Sequence, residues 1–421
     1  MSEMTLAEEL EWRGLIKDHT FENTEWLNTP RTFYLGADAG SADSLTIGNL
    51  AIYIVARRLA AAGWKTVLLL GGATSLIGDP GGKDEERQLK TKEEVQHNID
   101  GIRAQVVRIF AGHEFELVNN YDWFKDINFL DFLRDVGKHY SMTELVQRDF
   151  IATRMGEGGS GISYAEFSYN LIQGYDFWLL SKDKAVALQI GGSDQWGNLL
   201  SGTALVRKKD AKEVHAFSMP LVINKATGKK FGKSEEGAVW LDPAKTTPTQ
   251  FYQFWINCDD EGVEDYLKVY TFLSRQEIES ITATHAADPR ARTAQLRLAE
   301  EVTRLVHGDA ELQIARTITD VLTGKTPVAD LDEQALEALR KEIPSLTLSR
   351  GWDVINALSE TGLASSRSEA RRLLKNNAVS VNGKKIQRDT FEEDDFHNSR
   401  LLLRKGKAFK DTALIERVER S

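Results

Sequence analysis

KTVLLLG, Lys65 to Gly71, is an apolar run that alternation with polar residues never interrupts after Thr66. A strand with one face in water would alternate; one without alternation fits a parallel sheet covered on both sides. Outward from it the pattern repeats. Residues 32–35 read as a strand, a Gly/Ala/Ser loop follows, and residues 45–62 are helical. Residues 91–111 read as a helix, 114–118 as a strand, 164–181 as a helix and 186–191 (VALQIG) as another buried strand. Strands alternating with helices specify a doubly wound α/β sheet, whose ligands bind at the carboxyl ends of the strands. Beyond residue 247 strand signals give way to helical periodicity up to about residue 339. Pro344 and the polar residues to Arg350 read as a linker. After it come helical patterns at 351–358 and in SRSEARRLL, then NNAVSVNGKKI, a strand–turn–strand with Asn382-Gly383 at the turn.

The 421 residues suffice for two or three cores, and no apolar run is long enough to span a membrane. The N-terminal MSEMTLAEELEWRGLI is acidic and amphipathic, a first helix and not a cleaved signal. One cysteine, Cys258, allows no internal disulfide, and eight scattered histidines show no metal-ligand spacing, so a reducing compartment, the cytoplasm, is expected. The net charge of −10 is unevenly spread. Residues 351–421 hold 14 Lys and Arg against 11 Asp and Glu, a charge of +3, leaving −13 on the first 350. Arg367, Arg371, Arg372, Lys375, Lys384, Lys385 and Arg388 face only Glu369 between 363 and 388. That pattern suits a nucleic-acid contact and equally a solvated helix face.

Five segments at strand ends or beside them could carry chemistry. YLGADAGSADSLTIGNL, Tyr34 to Leu50, joins a strand end to a helix start. Ser44 or Asp43 is expected to cap the helix, and Gly48 opens its first turn to a phosphate or merely to packing. GKKFGKS, Gly228 to Ser234, places two lysines three apart beside glycines, suited to a phosphate chain or to solvent; no Walker spacing precedes it. In EFSYNLIQGYDF, Tyr169, Gln173 and Asp176 share one helical face, toward a polar ligand or toward water. LQIGGSDQWGN offers Asp194 and Gln195 after a strand. GGATSLIGDPGG offers Asp79.

Taken in order, these segments resemble the bacterial-type tyrosyl-tRNA synthetases of class I over nearly the whole chain. TIGN, Thr46 to Asn49, sits where class I enzymes carry HIGH, and KFGKS matches the family form of KMSKS. YNLIQGYD and GGSDQW resemble the tyrosine and adenylate segments, and GLASSRSEARRLL with AVSVNGKKI is similar to the S4-like RNA-binding module. The resemblance implies a Rossmann-like catalytic domain (1–246), a helical tRNA (anticodon)-binding domain (247–343), a linker (344–350) and an α+β S4-like domain (351–421). It implies L-tyrosine, ATP with Mg²⁺ and tRNA(Tyr) as substrates and partners, without a tightly bound cofactor, and a homodimer. Tyr34 and Asp176 would bind the phenol, Asp79, Tyr169 and Gln173 the ammonium, and Gln195 would face the carboxylate. Gly36, Asp38, Gly48, Gly192, Asp194 and Lys233 would surround the nucleotide. Thr46, Asn49, Lys230 and Lys233 would act on the phosphates, and Arg367, Arg371, Arg372 and Lys375 on RNA.

Both signature histidines are replaced here, by Thr46 and Asn49, and DAGSADS stands where DPTADS is commoner. Hydroxyl and amide still donate hydrogen bonds but carry no charge. The change leaves two alternatives, a catalytically idle RNA-binding relative and, because TIGN also occurs in tryptophanyl enzymes, tryptophan activation. The phenol pair, GGSDQW and the S4-like tail favour tyrosine.

Overall fold

The computed structural model describes residues 4–79, 89–146, 151, 154–156, 159, 161–234, 237–348, 353–406 and 411–417, without the side chains of 144, 233 and 234. Contacts group these into two units, residues 1–245 with 258–298, and 246–257 with 299–421.

The first unit contains a six-stranded sheet: β1 (Asp18–His19), β2 (Thr32–Ala37), β3 (Lys65–Leu70), β4 (Glu116–Asn119), β5 (Val186–Gly192) and β6 (His215–Met219). Its order is β1-β6-β5-β2-β3-β4, parallel throughout except for β1. Strand β6, from HAFSM, had no clear sequence signal. The chain runs outward from β2 to β3 and β4, then returns to β5 on the other side of β2 and runs outward to β6. The strand order therefore reverses between β2 and β5, and a crevice must open there, beyond their carboxyl ends.

The helices that matter to the crevice are α1 (Leu6–Trp12), α2 (Ile47–Ala61), α3 (Gly72–Ile77), α4 (Lys92–Ile109), α5 (Tyr164–Lys184), α6 (Trp196–Asp210) and α7 (Val263–Tyr270). Helix α2 is capped by Thr46, not by the expected Ser44 or Asp43. Ser44 is instead buried against Gln105, and Asp43 pairs with Lys245 at 2.8 Å. Helix α5 begins at a capping box between Ser163 and Glu166, and it packs on α6 with backbone-close contact. A Cβ built on Gly202 of α6 would lie 2.6 Å from the Phe177 ring.

Near α7 two buried guanidiniums share Glu9: Arg13 at 2.8 Å and Arg58, on α2, at 2.5 Å. Arg13 donates to the carbonyls of Lys268 (2.9 Å) and Leu273 (2.5 Å), and Arg58 to that of Thr271. These carbonyls close the C-terminus of α7, where cations are favoured.

The second unit places a strand within the expected linker. Residues 345–348, read as linker, form strand β9 (Ser345–Leu348), paired parallel with β13 (Thr412–Arg417). With β10 (Val379–Val381), β11 (Lys384–Ile386) and β12 (Arg400–Lys405) they make a sheet of order β11-β10-β12-β13-β9. Leu401, Leu403 and Ile415 enter one core with α10 (Val354–Glu360) and α11 (Arg367–Lys375). The alternate residues Leu402 and Leu414 enter another, with Ile318 and Leu322 of α8 (Asp309–Thr323) and Leu336 and Leu339 of α9 (Glu333–Glu342). One sheet thus serves the helical residues and the C-terminal module on its two faces.

The α5–α6 contact makes a direct test. Gly202→Ala overpacks Phe177 and should cost about 1–3 kcal/mol. Thermal unfolding would show a lower Tm, and an unchanged Tm would mean the two helices yield more readily than their contact indicates.

Candidate active site

The crevice at the strand reversal is a cavity of about 660 Å³. All the catalytic-unit residues singled out from the sequence line it, except Lys233. They come from the ends of β2 and β5, from α2 and α5, from Asp79 just beyond α3, and from the segment around Lys230. Tyr34, Asp79, Tyr169 and Asp176 are buried in its floor. Gly36, Asp38, Gly48, Asn49, Asp194 and Lys230 are exposed at its rim, and Thr46, Gln173, Gly192 and Gln195 are half-buried between. The shared helical face of Tyr169, Gln173 and Asp176 therefore meets the cavity and not bulk water.

In the floor, Asp176 is 1 % exposed. Its carboxylate accepts hydrogen bonds from Trp123 Nε1 (2.9 Å) and Asn120 Nδ2 (3.1 Å). Burial pushes its pKa up to about 7, while the two donors pull it down. The Tyr34 ring rests edge-on against Phe177, and its hydroxyl, also 1 % exposed at the residue level, makes no hydrogen bond among the described residues. Burial, then the neighbouring Asp176 charge, raises the Tyr34 pKa well above the ordinary phenol value, so it remains a donor. Gln189 Oε1, on β5, is a second buried acceptor with no partner among them. Buried polar atoms are normally paired, and two orphans in one cavity floor ask for a polar ligand. Asp79 is held by Gln195 Nε2 at 2.7 Å, and Gln195 Oε1 in turn accepts from Asn198 at 2.8 Å.

At the rim the two signature residues bond to each other. The Thr46 backbone N–H (3.0 Å) and hydroxyl (2.9 Å) both donate to Asn49 Oδ1. That leaves the Asn49 amide N–H groups as donors. The first N–H of α2, on Ile47, is used by the Val239 carbonyl. A Cβ on Gly48 would find Thr46 Oγ1 at 3.5 Å and the Phe231 carbonyl at 3.7 Å, ordinary contacts. The protein thus leaves room for a side chain there, and what the glycine keeps open is the cavity. Asp38 accepts from the Gly40 N–H (2.8 Å) and Ser75 Oγ (3.1 Å), and Lys230 Nζ lies 3.3 Å from Asp194. Lys233 contributes backbone to β7 (Lys233–Ser234), paired with β8 (Gly237–Ala238); its side chain, like residues 80–82 of GDPGG, lies outside what is described.

The comparisons decide the family. Residues 27–322 match the model for tRNA synthetases class I (W and Y), and residues 335–410 that of the tyrosine–tRNA ligase SYY-like C-terminal domain. The tyrosine–tRNA ligase of Lactobacillus johnsonii is 42% identical over 417 residues, covering 97% of this chain and 98% of the relative. That of Escherichia coli is 43% identical over 418 residues with the same coverage. A C-terminally truncated mitochondrial tyrosyl-tRNA synthetase of Aspergillus nidulans has a similar structure, with TM-score 0.68 and 30% identity over 76% of this chain and 94% of that one. The chain belongs to the tyrosyl-tRNA synthetases.

In this synthetase Lys384 and Lys385 lie on β11, while four other basic residues of the C-terminal module share one helix, α11. Arg367, Arg371, Arg372 and Lys375 are all exposed on it. Arg367 lies 3.5 Å from Asp353 and Arg372 4.0 Å from Glu369, so both remain available to a stronger anionic partner.

Sequence reasoning missed Asn120, Trp123, Gln189 and Asn198. Asn120 and Trp123 lie 56 and 53 residues before the carboxylate they hold, in a stretch without any motif. The only available signal was the position of Asn120 after a strand, and that is weak. Gln189 was visible as a polar residue inside an apolar strand.

Asp176 links the site to stability. Its folded pKa is raised, so its contribution to stability is greatest below the ordinary carboxylate pKa and is lost as pH rises through about 7. Relative to wild type, Asp176→Asn should therefore gain in Tm from about pH 4 to about pH 7 and hold that gain above it. A Tm difference that stays constant across that interval would refute the burial of an ionising carboxyl.

Proposed function

We infer that this synthetase joins L-tyrosine to tRNA(Tyr) in two steps in the β2/β5 crevice. First, a tyrosine carboxylate oxygen attacks the α-phosphate of ATP, the bond to the β-phosphate bridging oxygen breaks, and tyrosyl-adenylate and pyrophosphate form. Second, a hydroxyl of the 3′-terminal adenosine of the tRNA attacks the activated carbonyl, and AMP leaves. The observation that carries this reading is the unpartnered, buried Tyr34 hydroxyl in a floor that also holds Asp176. A substrate phenol can accept from Tyr34 and donate to Asp176, and so satisfy both.

The remaining roles follow the depth of the cavity. Asp79, Tyr169 and Gln173 suit the ammonium, and Gln195 the carboxylate. Gly36, Asp38, Gly48, Gly192 and Asp194, toward the rim, suit the nucleotide. Thr46, Asn49, Lys230 and Lys233 suit the phosphates, where donors and positive charge lower the barrier by meeting charge as it develops. No side chain has to become a nucleophile; positioning does the work.

Mg²⁺ would travel with ATP and neutralise phosphate charge. Among the described residues no three His, Cys, Asp or Glu converge, and Asp38, Asp79 and Asp194 already hold partners. Those donors fit a metal carried by phosphate oxygens and water, with Asp38 or Asp194 lending an oxygen at the rim. Two further readings have supports of their own. Phe129, Leu130, Met142 and Tyr164 are each more than 60 % exposed and lie on the helices that bring Phe132, Leu145, Phe167 and Leu171 to one small core, apolar surface suited to a second copy in a homodimer. The lone buried Cys258, and the absence among the described residues of any helix able to cross a membrane, fit the cytoplasm.

Amino-acid-dependent ATP–pyrophosphate exchange tests the first step. Exchange is expected with tyrosine and not with phenylalanine, which would leave the buried Tyr34 hydroxyl unpaired at about 1–3 kcal/mol and would forgo the donor a phenol offers Asp176. Exchange with tryptophan in its place would reassign the pocket, and none with any amino acid would favour an RNA-binding scaffold. For the second step, deletion from residue 351 would strip Leu402 and Leu414 from the core around α8 and α9, so point variants are the cleaner probe. Arg371, Arg372 and Lys375 changed together to Ala should weaken tRNA binding and flatten its salt dependence while exchange continues. Unchanged tRNA affinity would remove α11 from the RNA contact.

A further inference from the structure

Lys230 sits on a hairpin. Residues 222–224 and 229–231 pair through Phe231 N–H to Val222 O (2.9 Å), Asn224 N–H to Lys229 O (2.8 Å) and a bridge between Ile223 and Lys230, with Gly228 closing the turn onto Asn224. Among residues 221–231 Phe231 alone is buried, at 5 % exposure. Its ring stacks on Tyr266 of α7 with centroids 4.2 Å apart and planes 26° from parallel, and meets Tyr270 at 6.0 Å. Tyr266 is itself fixed: its hydroxyl donates to Asp259 Oδ2 at 2.8 Å, and Asp259 Oδ1 accepts the Gly262 N–H at 2.6 Å. The ion pair from the hairpin to α7, Lys225 with Asp265, is half-exposed on both sides and contributes little.

The opposite end of α7 is tied to α2 by Arg58, and the Phe231 carbonyl lies against Gly48 at the N-terminus of α2. Helix α7 therefore sets where the hairpin stands relative to the TIGN turn. We propose that Tyr266 and Phe231 are positioning residues for phosphate transfer, their stacked rings holding the hairpin so that Lys230 faces the N-terminus of α2. This rests on the adenylation reading above. An aromatic pair suits the task because it is specific in geometry yet modest in strength, so the hairpin can be held and still be released.

Three variants separate positioning from general packing: Phe231→Leu, Tyr266→Leu and the conservative Tyr266→Phe, which keeps the ring. In the leucine variants amide hydrogen exchange of the 222–231 peptide should quicken by roughly two- to tenfold, the worth of an aromatic pair. The kcat of tyrosine-dependent pyrophosphate exchange should fall by a similar factor, with the Kd for tyrosine unchanged. Tyr266→Phe, which keeps the stack but loses the hydroxyl's bonds to Asp259 and to the Ile223 carbonyl (3.5 Å), should recover most of both. If Tyr266→Leu does not fold, Phe231→Leu, altered on the hairpin itself, carries the test. Unchanged hairpin exchange, or tyrosine affinity falling in step with kcat, would overturn the proposal. Wild-type protein lacking pyrophosphate exchange would overturn the adenylation reading instead, and the amide measurement would still decide whether the rings hold the hairpin.

Discussion

An ionisable carboxyl kept away from water governs how this site is built. Among the described residues Asp176 is buried without a cation beside it, held by one indole N–H and one amide N–H. Neutral donors of this kind stabilise the anion less than an arginine would, which is why its pKa stays near 7 and not below the ordinary carboxylate value. An arginine there would consume the acceptor. The weaker arrangement keeps a strong acceptor free for a ligand, at a cost to the folded state. The unpaired Tyr34 hydroxyl and Gln189 Oε1 add to that cost. Strain of this kind persists only if the surroundings cannot relax, and the surroundings here are β2, β5 and α5, packed through Phe177, Leu180, Val186 and Val206.

From that floor the cavity grades outward in polarity. Neutral and partly neutral groups lie deepest, Gln195, bonded to the buried Asp79 and Asn198, lies at middle depth, and the formal positive charge of Lys230 stands at the exposed rim. A substrate with a phenol at one end and a phosphate at the other would be sorted by depth alone. The hydration energy of a triphosphate is large, so its place is where water remains. The phenol can be dehydrated in exchange for two hydrogen bonds.

Much of the fold could be read from the chain because parallel strands buried on both faces announce themselves, as KTVLLLG and VALQIG do. The strand-end motifs then located the crevice, since the β2/β5 reversal brings Gly36 and Asp38 next to Gly192 and Asp194. The rest was hidden for identifiable reasons. β6 is short and mixed in composition. β9, in SLTL, borrows its identity from β13, 69 residues later in the register Ser345 to Leu414, and nothing local marks it. The shared sheet of the second unit could not be inferred from a helical pattern followed by a strand–turn–strand, because Leu402 and Leu414 reveal their partners only in three dimensions. Asn120 and Trp123 escaped notice because a residue that orients another carries no motif of its own.

The TIGN turn shows how a neutral pair can stand where imidazoles are usual. Asn49 Oδ1 accepts from both Thr46 groups, so its oxygen is spent inside the turn and its N–H groups are directed elsewhere. The same bonds fix Thr46 as the cap of α2, tying the chemistry of the turn to the start of the helix whose far side carries Arg58. Because neither residue titrates, the turn offers the same donors at every pH, and on the proposed reading the protein's own positive charge for the phosphates would come from the lysines of KFGKS and from the helix N-terminus. That division makes the placement of the hairpin more consequential here than in a site where imidazolium shares the load. It also explains why a loop otherwise open to water is anchored by a buried ring.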